Sequence, residues 1–158
     1  MTKWYRFFSL LMVFLCSCAP IKTQQVADYY SLFSVEAEFE GVRDELVEVI
    51  EEKGMVISFV SHAAKMLERT QSTSEIKGNL YVEAEVLLFC KADLSHQLAA
   101  SDSHSLILCP QAITIYTLKK EPKIVYMSIR NAPKNLDAYQ AIFELLTGII
   151  QQVIEEYE

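Results

Sequence analysis

Two cysteines and three histidines are the residues of this 158-residue chain best suited to chemistry. Cys90 closes one apolar run and Cys109 opens the next, 19 residues later, with His96 and His104 between them and His62 standing before Ala63-Ala64. Three fates fit the cysteine pair: a disulfide tying two strands, two reduced thiols in the interior, or a functional thiol or metal pair. A disulfide closing a loop of this size contributes roughly 3 kcal/mol through chain entropy. Thiolates with imidazoles would select zinc or Cu(I), yet no C-x-x-C or H-x-x-x-H spacing presets such a site. His96 on a helix face and His104 in a polar loop are therefore weak metal candidates, and no cofactor is expected. His62 reads as an end cap, and with Cys90 and Pro110 it marks where a ligand pocket is expected.

Other reactive patterns are missing. There is no G-x-S-x-G, no glycine-rich phosphate loop and no H-E-x-x-H, and four glycines leave little backbone to wrap a phosphate. Glu45, Glu48, Glu51 and Glu52 line a helix face opposite its apolar stripe, which is the pattern of a solvated surface rather than of paired catalytic carboxylates. An enzyme is not expected. A net charge of −7 argues against nucleic acid, whose binding draws on clustered Lys and Arg.

The N-terminus carries an address. Lys3 and Arg6 precede a ten-residue run, Phe7 to Cys16, whose only strongly polar member is Ser9. This is the charge and length pattern of a secretory signal, about half of what a membrane span needs. The run ends in Leu15-Cys16-Ser17-Cys18, which resembles the bacterial lipoprotein signal and implies cleavage after residue 17 and lipid on Cys18. Ala19 is not the aspartate that favours inner-membrane retention in such lipoproteins, so the expected place is the periplasmic side of the outer membrane. The domains expected are a signal peptide (1–17), a lipidated terminus and tether (18–34) and one domain (35–158). Without the signal, 12 Lys and Arg face 21 Asp and Glu, a charge of −9.

The elements that must position the cysteines alternate in period. Val42, Leu46, Val49 and Ile50 form a helical stripe stopped by Gly54. Met55–Val60 is β-rich, Ala63–Arg69 has helical spacing, and 71–78 is a polar loop. Ala84–Cys90 reads as a buried strand and Ala92–Ala100 as a helix. Leu106–Leu118 and Lys123–Ile129 read as extended runs flanking a turn at Lys119–Pro122. From Leu136 to Val153 a wide apolar stripe marks the longest helix, with Asn135 and Pro133 before it; such a stripe is buried against a sheet or a second protomer. The pattern predicts an α+β domain of two layers, a mixed β-sheet with helices packed on one face.

The segments Gly54–Ala64, Val86–Leu94, Leu106–Tyr116 and Lys123–Ser128, in that order, resemble the bacterial family known as domain of unknown function 302, over roughly residues 35–155. The resemblance implies a compact α/β sheet domain that tends to dimerise, and no established catalytic residues. Three positions depart from the family pattern: Lys91-Ala92 in place of Asn-Pro, Ser61 in place of an acid before His62, and Cys109 before Pro110 rather than after it. The functional expectation is a lipid-anchored envelope domain binding a small molecule or an envelope protein, with a periplasmic thiol or copper/zinc-handling protein built on Cys90 and Cys109 as the competing reading. A dimer module joined through the C-terminal helix is a third.

Overall fold

The computed structural model describes residues 24–73, 75 and 78–158, with side chains from Asp28 onward. Cys16, Cys18 and the signal run lie outside the described residues.

Among the described residues six strands form one sheet: β1 (Gln24–Ala27), β2 (Tyr30–Glu36), β3 (Val56–Ser61), β4 (Tyr81–Cys90), β5 (Gln111–Leu118) and β6 (Glu121–Arg130), in spatial order β1-β2-β6-β5-β4-β3. The class is α+β, as the sequence predicts. The sheet is not mixed, however, because all five pairings are antiparallel. A parallel pair needs a long crossover, whereas β5 and β6 join by a tight hairpin with Leu118 opposite Glu121.

The described residues also form four α-helices: α1 (Phe39–Glu52), α2 (Ala63–Arg69), α3 (Ala92–Ser101) and α4 (Gln140–Glu155). Helices α1 and α4 lie on one sheet face. Alternation in β5 sends Ile113 and Ile115 to that face, fully buried, with Leu87 and Phe89 from β4, Val125 and Met127 from β6, and Phe33 from β2. These meet Val42, Leu46, Val49 and Ile50 of α1 and Ile142, Leu146, Ile149 and Val153 of α4. The α4 stripe is thus buried within the chain's own core. A Schellman closure ends α1: Gly54 adopts φ +74, its N–H reaches Glu51 O at 2.8 Å, and Met55 N–H reaches Ile50 O. Among the described residues no helix is long and apolar enough to cross a membrane.

Three local readings of the sequence change. The segment expected as tether includes β2, whose Ser31, Phe33 and Val35 point inward and which pairs with β6 over seven residues. Leu106–Leu108, expected to be extended, closes a 3-10 helix (Ser103–Leu108) initiated by the Asp102 carboxylate accepting from His104 N–H; Leu106 and Ile107 face solvent. And helices occupy both sheet faces, since α2 covers a corner of the second face. Its Ala63 and Leu67 share a hollow with Tyr30, Thr114, Tyr116 and Ser128, which alternate with the core-facing residues of their strands.

Candidate functional site

The thiols come together at one end of the β4–β5 ladder. Phe89 pairs with Gln111, so Cys90 leaves β4 where Pro110 leads into β5, and the Cys109–Pro110 peptide is cis. Helix α3 starts immediately after Cys90 and Lys91, and its first turns bring Ser95 and His96 to the same place. Cys90, Cys109, Ser95 and His96, with Ala92, Ala99 and Leu106, line a largely apolar hollow of about 360 Å³. Both cysteines carry free thiols, Cys90 exposed and Cys109 half-buried; the strand-tying disulfide is not present. Gln111 Nε2 donates to Cys109 Sγ at 3.4 Å, and Cys109 Sγ lies 3.5 Å from Ser95 Oγ. Partial desolvation of its sulfur, and then the neighbouring Cys109, push the Cys90 thiol pKa above its ordinary value. A thiol raised in this way is a poor nucleophile at neutral pH.

The expected grouping of His62 with Cys90 and Pro110 does not form. Val56 opposes Cys90 while Ser61 opposes Val86, which puts Ser61 about 13 Å along the ladder from Cys90 and His62 beyond it. His62 instead accompanies Glu85, its Nδ1 2.8 Å from Glu85 Oε1, while Arg43 Nε of α1 donates to Glu85 Oε2 at 3.4 Å. Glu85 occupies a core-facing position opposite Ile115, so a carboxylate in the apolar row is accommodated by two partners at the sheet margin. His104 is exposed and acts through its backbone alone. Among the described residues no three of His, Cys, Asp and Glu converge as a metal cluster.

A second site lies on the sheet face that α2 leaves half open, and no sequence motif announces it. Tyr116 and Tyr126 are cross-strand partners whose rings stack at 5.4 Å and 18°, and Tyr81 meets Tyr116 edge-on at 5.6 Å. A β-bulge brings Tyr81 there: one extra residue on β4 lies between the pairs Tyr81–Leu118 and Ala84–Tyr116, with Glu83 N–H donating to Thr117 Oγ1. Between this ladder and α2 lies a hollow of about 280 Å³ lined by Tyr30, Ala63, Leu67, Tyr81, Ala84, Thr114, Tyr116 and Ser128. Five hydroxyls border it and no lining residue is charged. Burial, followed by Tyr81, Tyr30 and Tyr126, pushes the Tyr116 phenol up to about 12. The signal available in the sequence is the even-numbered phase of β5 and β6, which places Thr114, Tyr116, Tyr126 and Ser128 together on the side away from the core.

The likeness to other proteins is one of family and fold. The crystal structure of an uncharacterized conserved DUF302 protein from Bacillus stearothermophilus is similar at a TM-score of 0.59, with 10% of residues identical, covering 84% of this chain and 100% of that one. No curated protein matches the chain. The family model for the domain of unknown function DUF302 matches residues 32–156, beginning inside β2 and ending after α4, so that every residue named around the two sites except Tyr30 falls within it: the chain belongs to the DUF302 family.

Proposed function

We propose that this protein is a cell-envelope lipoprotein, held by lipid on Cys18 at the periplasmic side of the outer membrane, whose domain binds a neutral, flat small molecule on its second sheet face. One observation carries the ligand half of this reading: a hollow of about 280 Å³ bordered by five hydroxyls, apolar at its walls and without a charged lining residue. Binding sites of this kind combine apolar walls with a few polar groups that fix orientation. The uncharged lining disfavours phosphates and carboxylates, whose charge calls for Arg or Lys.

The test is a fragment screen by nuclear magnetic resonance on the full chain in detergent, beside a Thr114→Lys variant that puts a charge into the hollow. Neutral aromatic fragments shift the Tyr30, Tyr81 and Tyr116 ring signals in the wild type and not in the variant; equal binding by both proteins refutes the site. For the anchor, Cys18→Ala abolishes incorporation of labelled fatty acid, and unchanged labelling rejects it.

A second reading, thiol or metal handling, draws support from the placement of Cys90, Cys109 and His96 around one hollow.

A further inference from the structure

We propose that Cys90 and Cys109 form a binding site for Cu(I), held between the two sulfurs as a two-coordinate thiolate complex. The inference deepens the thiol or metal reading by naming the cation and the number of ligands.

Ligand number decides between the two soft candidates. Structural zinc takes four ligands in a tetrahedron. The hollow offers two sulfurs and the His96 imidazole on its wall, and no three potential ligands converge anywhere among the described residues. Two thiolates are enough for Cu(I), a soft ion that thiolates select. The remaining lining is Ala92, Ala99, Leu106 and the Ser95 hydroxyl, 3.5 Å from Cys109 Sγ, and it holds no carboxylate.

The surroundings of Cys109 suit a metal-bound sulfur. Gln111 is 4% exposed and turns its amide Nε2 to Cys109 Sγ at 3.4 Å, while its Oε1 is buried with no partner among the described residues. A buried carbonyl oxygen without a partner is costly, so the amide is held in this orientation at some expense of stability. An N–H aimed at a ligating sulfur orients the ligand and stabilises its negative charge. Binding balances simply: each S–H gives its proton to solvent, two Cu–S bonds form, copper stays monovalent, and the complex carries one negative charge.

The test titrates Cu(I) into the reduced full chain in detergent, without oxygen, against the chelator bicinchoninate. Alkylatable thiols are counted by mass spectrometry with and without copper. One Cu(I) per chain is expected, with Cys90 and Cys109 both protected from alkylation and X-ray absorption showing two sulfurs on the metal. Cys90→Ser and Cys109→Ser each weaken binding by more than about 100-fold, beyond what loss of an outer-shell partner costs; His96→Ala costs about tenfold at most. The protection assay on unaltered protein keeps the test decisive if a serine variant misfolds. Absent copper binding, binding retained in either serine variant, or equal affinity for Zn(II) overturns the proposal. A Cys90–Cys109 disulfide that forms reversibly with glutathione disulfide, without copper binding, would leave the thiol reading standing; inert thiols without copper remove both.

Discussion

Replacing Tyr116 by isoleucine tests whether the aromatic ladder is a built part of the second sheet face. Isoleucine keeps the β-propensity and apolar character of the position while removing the ring. Two ring contacts are lost, the stacked one with Tyr126 at 5.4 Å and the edge-on one with Tyr81 at 5.6 Å. Each such pair is worth about 0.5–1.5 kcal/mol beyond its buried area, so the substitution costs about 1–3 kcal/mol. For a domain of this size that lowers Tm by roughly 4–15 °C. Urea unfolding followed by circular dichroism reads the loss directly, with an unchanged slope if the folded state keeps its compactness. The same position has a pH signature. Its folded pKa of about 12 lies above the unfolded value, so the native state holds the proton more tightly and stability falls as pH rises from about 10 towards 12. Tyr116→Phe removes that loss, and its alkaline unfolding midpoint moves to higher pH. A Tyr116→Ile cost below about 0.5 kcal/mol, the range of ordinary surface changes, would refute the ladder as a structural unit.

Three further outcomes follow from the packing and the thiol geometry. Glu85→Gln weakens the links to Arg43 and His62 and costs about 1 kcal/mol in chemical denaturation, between the values for exposed and buried pairs; in a double-mutant cycle with Arg43→Met the costs add to less than their sum. Leu46→Ala, at a fully buried position between α1 and the sheet, costs about 2–5 kcal/mol by calorimetry or denaturant. Cys109→Ser removes one of the two main causes of the raised Cys90 pKa, so the pH midpoint for Cys90 alkylation by iodoacetamide falls towards that of a free cysteine while staying above it because of the partial desolvation.

Much of this fold was legible because periodicity records burial. The α1 and α4 stripes named the residues that now form the core, and Gly54 marked a stop that requires a positive φ. Strand β2 escaped because Ser31 is buried where an apolar residue would have completed the alternation; Asn131 Oδ1 accepts from its hydroxyl at 2.7 Å and satisfies it there. Leu106-Ile107-Leu108 read as strand because apolar runs carry no period of their own, and a local cap at Asp102 turned the chain instead. Cys90 was legible as a strand end, whereas Cys109 caps the 3-10 helix two residues before β5, and the approach of Ser95 and His96 depends on where α3 leaves the sheet. The tyrosine ladder depends on a bulge in β4 that shifts Tyr81 onto the face of Ala84, and no spacing rule in a single strand reports a register shift against its neighbour.

A neutral ligand on the second sheet face should travel with the protein out of the membrane. Native mass spectrometry of the full chain gently extracted from its own membranes, wild type beside Thr114→Lys, tests it most directly. A small neutral molecule bound one to one in the wild type and absent from the variant is the expected result; identical spectra for the two proteins would rule the site out.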